Sequence, residues 1–247
     1  MKPFLLLATR PEDAAADGEY EAMLRFSGLD ESELRRIRLE QRPLGDIVLE
    51  EYSGLIMGGS PFNSSDPPET KSAVQLRVEA ELATLLDEVV AADFPMLGAC
   101  YGVGTIGTHQ GAVVDRTYSE PVGPVSVTLT EEGQRDPIFG VLPLEFEAFV
   151  GHKEAVRELP QHAVRLASSA ACPVQAFRIG ANVYATQFHP ELDVEGIATR
   201  IDVYRHAGYF PPGEAEALKE RARASHVRHP SAVLRGFVER YATSTSQ

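Results

Sequence analysis

Phe94-Pro95-Met96-Leu97-Gly98-Ala99-Cys100-Tyr101-Gly102-Val103-Gly104 is the stretch that decides how this chain is read. A short apolar run ends at a glycine, a cysteine follows two residues later, and a second glycine two after that. A helix-compatible run then continues to about Gln110. Strand, small residue, nucleophile, small residue, helix is the order that lifts a reactive side chain onto a strained turn. Such a turn sits at the carboxyl end of an open α/β sheet, where ligands bind. Glycines suit it because side chains two positions either side of the nucleophile would collide. The helix N-terminus beyond Cys100 is expected to favour thiolate over thiol. The same glycines also serve ordinary strand-to-helix turns, so the cysteine needs partners elsewhere.

Outward from this point, short apolar runs alternate with longer amphipathic ones. Phe4–Ala8, residues 37–39, Gly54–Met57 and residues 94–97 read as buried strands. Residues 20–26 read as a helix stopping at Ser27-Gly28. Residues 69–92 form a longer one, with Val74, Val78, Leu82, Leu85, Leu86 and Val89 on a single face. That alternation predicts a parallel sheet wrapped by helices. Between Val113 and Thr186 the pattern changes to strands joined by turns, at 125–130, 144–150, 174–179 and 183–186. An antiparallel extension of the parallel core is expected there. Helices return at 194–206, 214–224 and 232–241. One α/β domain is expected over 1–247, with a core to about 192 and a helical extension over 193–247.

The 247 residues carry 36 acidic against 23 basic side chains, a net charge of −13. That balance argues against nucleic acid or an anionic membrane as partner, since both recruit basic patches. The apolar start Phe4–Ala8 is shorter than the roughly 7–15 residues of a signal-peptide core. No stretch approaches the ~20 apolar residues that span a bilayer. Two cysteines give no disulfide framework, and a reducing, cytoplasmic location is the expectation. Cys172 lacks an elbow and reads as structural, and the scattered histidines give no metal-ligand spacing. Only the polar end from Ala242 to Gln247 has the composition of a disordered segment.

Two further segments supply what Cys100 lacks. Gln187-Phe188-His189-Pro190-Glu191 follows a strand candidate. A thiol needs a base within reach and a third group to orient that base. His189 suits the first role, and Glu191 the second by fixing the tautomer and stabilising the imidazolium. Met57-Gly58-Gly59-Ser60-Pro61 ends another strand with two glycines, which let backbone N–H groups approach an anion. The amides of Gly59 and Tyr101 are therefore assigned to an oxyanion hole.

G-x-C-x-G, a strand-terminal Gly-Gly and Q-F-H-P-E, in that chain order, resemble the class I glutamine amidotransferases. The glutaminase domain of GMP synthase and its stand-alone relatives are the most similar. The resemblance covers about Met57 to Glu191. It implies a flavodoxin-like three-layer fold and hydrolysis of the glutamine side-chain amide through a cysteinyl thioester. No metal or cofactor is implied, and the ammonia goes to an acceptor. Phe149-Val150-Gly151-His152-Lys153-Glu154 is similar to the family's histidine-bearing loop. Gly58, Gly104, Val150, Gly151 and His152 are then expected around the substrate.

One position departs from the family, whose members commonly carry glutamine where this chain has Gly104. Either Thr105 or Gln110 takes over that contact, or the substrate is another γ-glutamyl compound admitted by a widened pocket. A γ-glutamyl hydrolase is the alternative enzyme, and a catalytically weak regulatory subunit the alternative outside enzymes. The chain shows no nucleotide-binding phosphate loop, so any synthetase that uses the ammonia is expected on a separate chain.

Overall fold

The computed structural model describes residues 1–242; the polar end from Thr243 lies outside them. Strand β1 (Phe4–Ala8) is buried at all five positions. Helix α1 (Asp13–Ser27) ends at Gly28, whose φ of 79° lies in the left-handed region that glycine adopts without strain. Strand β2 (Leu34–Arg38) begins three residues before the expected one and includes three arginines. It forms one edge of the sheet, where charged side chains reach water. Strand β3 (Gly54–Met57) is where the sequence puts it. Helix α2 (Ala73–Ala91) starts later than expected, because Pro68–Thr70 forms a separate short turn. Ser72 then caps the helix by accepting from Gln75 N.

Strand β4 (Met96–Ala99) leads through Cys100 into α3 (Tyr101–His109). Next come β5 (Val113–Asp115), β6 (Glu120–Leu129), α4 (Glu131–Arg135), β7 (Glu145–His152), β8 (Ala155–Glu158), β9 (Ala163–Ser169), β10 (Ala176–Ile179) and β11 (Val183–Thr186). The chain closes with α5 (Val194–Val203), α6 (Ala215–Ala224) and α7 (Ser231–Tyr241). The main sheet runs β2-β1-β3-β4-β11-β10-β9-β6-β7. Its first five strands are parallel. The last four add antiparallel pairs, the extension the sequence predicts. Three strands escaped the sequence reading: β9, and the separate pair β5 and β8.

Alternation along β1 assigns its side chains to two cores. Phe4 and Leu6 pack with Met23 of α1 and with Val233, Leu234 and Phe237 of α7. Leu5 and Leu7 pack with Leu82 and Leu86 of α2. A third cluster, around Phe149, Ile197, Ile201 and Leu218, seats α5 and α6. Among the described residues no helix is long and apolar enough to cross a membrane.

One register brings the chemistry-bearing segments together. Strands β4 and β11 are parallel neighbours, with Ala99 opposite Thr186. Both strands end at the same edge of the sheet, so Cys100 and the Gln187–Glu191 segment leave it side by side.

Candidate active site

Cys100 has φ 54° and ψ −87°, one of two non-glycine residues with positive φ among the described residues. An L-residue holds such a conformation only when its surroundings enforce it. Here the Cys100 N–H donates to Thr186 O at 2.7 Å. A Cβ on Gly98 would lie 2.9 Å from Gly102 Cα, so the tight turn requires glycine at that position. A Cβ on Gly102 would meet nothing closer than Met57 Sδ at 3.8 Å, so the expected steric need holds at one glycine, not both. Gly98→Ala should therefore cost about 1–3 kcal/mol by overpacking against backbone. Chemical denaturation measures this, and an unshifted midpoint would contradict the reading.

His189 is buried and donates its backbone N–H to Phe149 O at 3.0 Å. Its Nδ1 lies 2.8 Å from Glu191 Oε1 and 2.9 Å from Arg200 Nη1. A carboxylate only accepts and a guanidinium only donates, so one contact at most is a hydrogen bond. Nδ1 therefore keeps its proton and donates it to the charged carboxylate as a hydrogen bond, which leaves Nε2 with the lone pair a base needs. Arg200 Nη2 donates to Glu191 Oε1 at 2.8 Å and to Glu19 Oε1 at 3.1 Å. Cys100 and His189 line one cavity, together with Arg10, Ser60, Arg200 and Tyr209.

Electrostatics in this cavity run against the expected thiolate. Burial pushes the Cys100 thiol up to about 12; Arg10 and Arg200 pull the other way without overcoming it. Burial also lowers His189, helped by Arg200 and Arg10 and opposed by Glu191. Burial opposes ionisation of Glu191, yet His189 and Arg200 hold it well below the ordinary carboxylate range. The resting pair is a neutral thiol and a neutral imidazole beside an ionised Glu191. Desolvation is the largest cause of the thiol's shift.

The remaining predicted residues separate into two groups. Val150 and Gly151 line the cavity with Cys100. Tyr101 is the first residue of α3, so its N–H has no intrahelical partner. The Gly59 N–H, by contrast, donates to Glu19 Oε1 at 3.2 Å and is engaged. Gly58 is turned away: its N–H bonds Leu7 O, and a Cβ there would run into Glu19 Oε2.

Gly104 opens no extra space. A Cβ at that position would lie 2.5 Å from Glu154 Oε1 and 2.8 Å from Ser64 Oγ. The Glu154 carboxylate fills the gap and accepts from the Ser64 and Ser65 amides at 2.8 and 2.7 Å. Neither substitute for the missing glutamine faces the cavity. Thr105 donates to Tyr101 O, while Gln110 contacts His109 and His162.

His152 also lies outside the cavity. Its Nδ1 donates to Glu154 O at 2.8 Å and its Nε2 pairs with Glu120 Oε2 at 2.9 Å. Cys172 brings a third potential metal-ligand atom within 4.8 Å of these two residues, a grouping that sequence spacing conceals. Its thiol donates to Val174 O, so all three atoms already have protein partners.

Sequence reading missed the charged residues around Cys100, His189 and Glu191. Arg10 Nε and Arg200 Nη2 both bind Glu19 Oε1, at 2.9 and 3.1 Å. Arg10 Nη1 donates to Tyr204 OH at 3.0 Å, and that hydroxyl donates to Glu12 at 3.1 Å. Each is a single charged or aromatic residue in a helix or loop, with no local pattern to mark it.

Comparison with known proteins bears on the family and the fold. The chain is 36% identical over 102 residues to a subunit of the glutamine-hydrolysing GMP synthase of Thermoplasma acidophilum, covering 41% of this chain and 50% of that one. It is 27% identical over 150 residues to the glutamine-hydrolysing GMP synthase of Borreliella burgdorferi, covering 61% of this chain and 26% of that one. The chain thus spans half or less of these curated relatives. In fold it superposes on a glutamine amidotransferase from Thermotoga maritima with a TM-score of 0.77 at 22% identity, covering 99% of this chain and all of that one. The model of the family described as "Glutamine amidotransferase class-I" matches residues 31–200, more than half of the chain. On that match the protein belongs to the class I glutamine amidotransferase family.

Proposed function

We propose that the chain hydrolyses the side-chain amide of glutamine through a thioester on Cys100 and releases ammonia. The observation that supports this most is the strained Cys100 sharing one cavity with His189, whose Nδ1 is held by an ionised Glu191. With thiol and imidazole both neutral at rest, the first step is general-base attack. His189 Nε2 takes the thiol proton as sulfur bonds the amide carbon, and the carbonyl π pair moves to oxygen. The Tyr101 N–H, free of an intrahelical partner, binds that oxyanion. When the C–N bond breaks, His189 returns its proton to nitrogen and ammonia leaves. Water, deprotonated by the same imidazole, then opens the thioester to glutamate and regenerates the thiol.

The γ-glutamyl hydrolase reading loses its main support, because Glu154 occupies the space that Gly104 leaves. The Thermoplasma relative is named as one subunit of a GMP synthase, and by that likeness the ammonia is used by a synthetase on a separate chain. The test is product analysis. Incubation with glutamine should give equimolar glutamate and ammonia, and with γ-glutamyl amines little release of amine. Preferential amine release would overturn the choice of substrate.

A further inference from the structure

The oxyanion hole of this site is short of a donor on one side. One of its two expected donors, the Gly59 N–H, is bound to the Glu19 carboxylate. Glu19 is in turn locked by Arg10 and Arg200 and is 2% exposed, so the amide is not released by a simple side-chain swing. A tetrahedral intermediate still needs more than one donor at its oxygen.

Arg10 stands beside that position. Its Nε is held by Glu19 and its Nη1 by Tyr204, while Nη2 has no hydrogen-bond partner among the described residues. Nη2 lies directly over Gly59, where a Cβ would run into it and would also lie 2.8 Å from His189 Cε1. The absence of a side chain at Gly59 is what lets guanidinium and imidazole meet above the end of β3. Arg10 is 4% exposed and lines the same cavity as Cys100 and His189. A guanidinium fixed at two of its nitrogens and open at the third is preorganised to donate there.

We propose that Arg10 is a catalytic residue whose Nη2–H, with the Tyr101 N–H, binds the oxyanion in place of the Gly59 amide. The proposal rests on the thioester reading of the site. As sulfur adds to the carbonyl, the negative charge formed on oxygen meets a fixed positive one in a water-poor site. When the C–N bond breaks, the oxygen's electron pair returns to the carbonyl, and Arg10 stays protonated throughout. Glu19 and Tyr204 are positioning residues: they aim Nη2 and hold the guanidinium ionised, burial notwithstanding. Arg10 is also the cation that most favours a charged Cys100.

The test uses the whole chain, with Arg10→Ala and Arg10→Lys assayed for glutamine hydrolysis and fold checked by circular dichroism. Loss of one oxyanion donor predicts a fall in kcat of about 10²–10³-fold. KM should move less than about threefold, because the interaction forms only with the developing charge. Guanidinium chloride at millimolar concentration should restore Arg10→Ala more than about tenfold, sodium chloride at equal ionic strength should not, and Arg10→Lys should stay impaired. A purely structural ion pair would give no rescue specific to guanidinium. Either variant retaining over a third of wild-type kcat, a loss confined to KM, or a folded Arg10→Ala beyond rescue would overturn the proposal. Should Arg10→Ala fail to fold, Arg10→Lys, which keeps the charge against Glu19, decides alone. Wild-type activity is the control: a wild type without glutaminase activity fails the functional reading instead.

Discussion

Replacing Cys100 with alanine is expected to lower glutamine hydrolysis by about 10⁴-fold or more while leaving the fold intact. The size follows from the role: without sulfur there is no acyl carrier, and a neighbouring water must attack the amide directly. The fold should persist because alanine is smaller and removes only Sγ. The turn is held by backbone, through the Thr186 carbonyl and the close approach of Gly98 to Gly102. Alanine still bears a Cβ at φ 54°, so the strain stays much as it was. Ammonia release by a coupled assay checks the prediction, with far-ultraviolet circular dichroism as the folding control. Turnover within tenfold of wild type would remove Cys100 from the chemistry.

Substitution of His189 by glutamine should be nearly as damaging, again about 10⁴-fold, because base and nucleophile act as one unit. The thiol, raised to about 12, does not ionise by itself near neutrality, so removing the proton acceptor removes the attack. The pH profile carries the sign. His189 works as a base only when neutral, and burial lowers its pKa. It therefore sheds its proton at lower pH than an ordinary histidine. The acid limb of wild-type kcat/KM should then fall below the usual value of about 6.5. A limb above that value would mean His189 is stabilised as an imidazolium, opposite to what its surroundings impose.

What could be read in the sequence was what lies close together along the chain. The elbow from Gly98 to Gly102 and the Gln187–Glu191 segment each place their chemistry within five residues. The parallel core was legible because β1, β3 and β4 are buried on both faces and read as continuous apolar runs. Strand β2 was misplaced because its arginines disguise an edge strand. Strand β9 ends in polar residues and gives only a weak apolar signal.

At the site, the obscured features are those assembled from distant positions. Arg200 meets Glu19 across 181 residues of sequence, and Glu154 reaches Ser64 across 90. A missing glutamine at Gly104 looked like open space, because nothing local shows that Glu154 fills it. Likewise, the Gly-Gly end of β3 gives no sign that a carboxylate from α1 holds the Gly59 amide.

The most direct measurement is the mass of the wild-type protein after reaction with a glutamine-like diazo-ketone. Such a compound loses dinitrogen as it alkylates an activated nucleophile. One adduct per chain is predicted, on the peptide that contains Cys100 and suppressed by excess glutamine, with Cys172 unmodified. An enzyme that still makes ammonia but carries the label elsewhere, or none at all, would contradict the account.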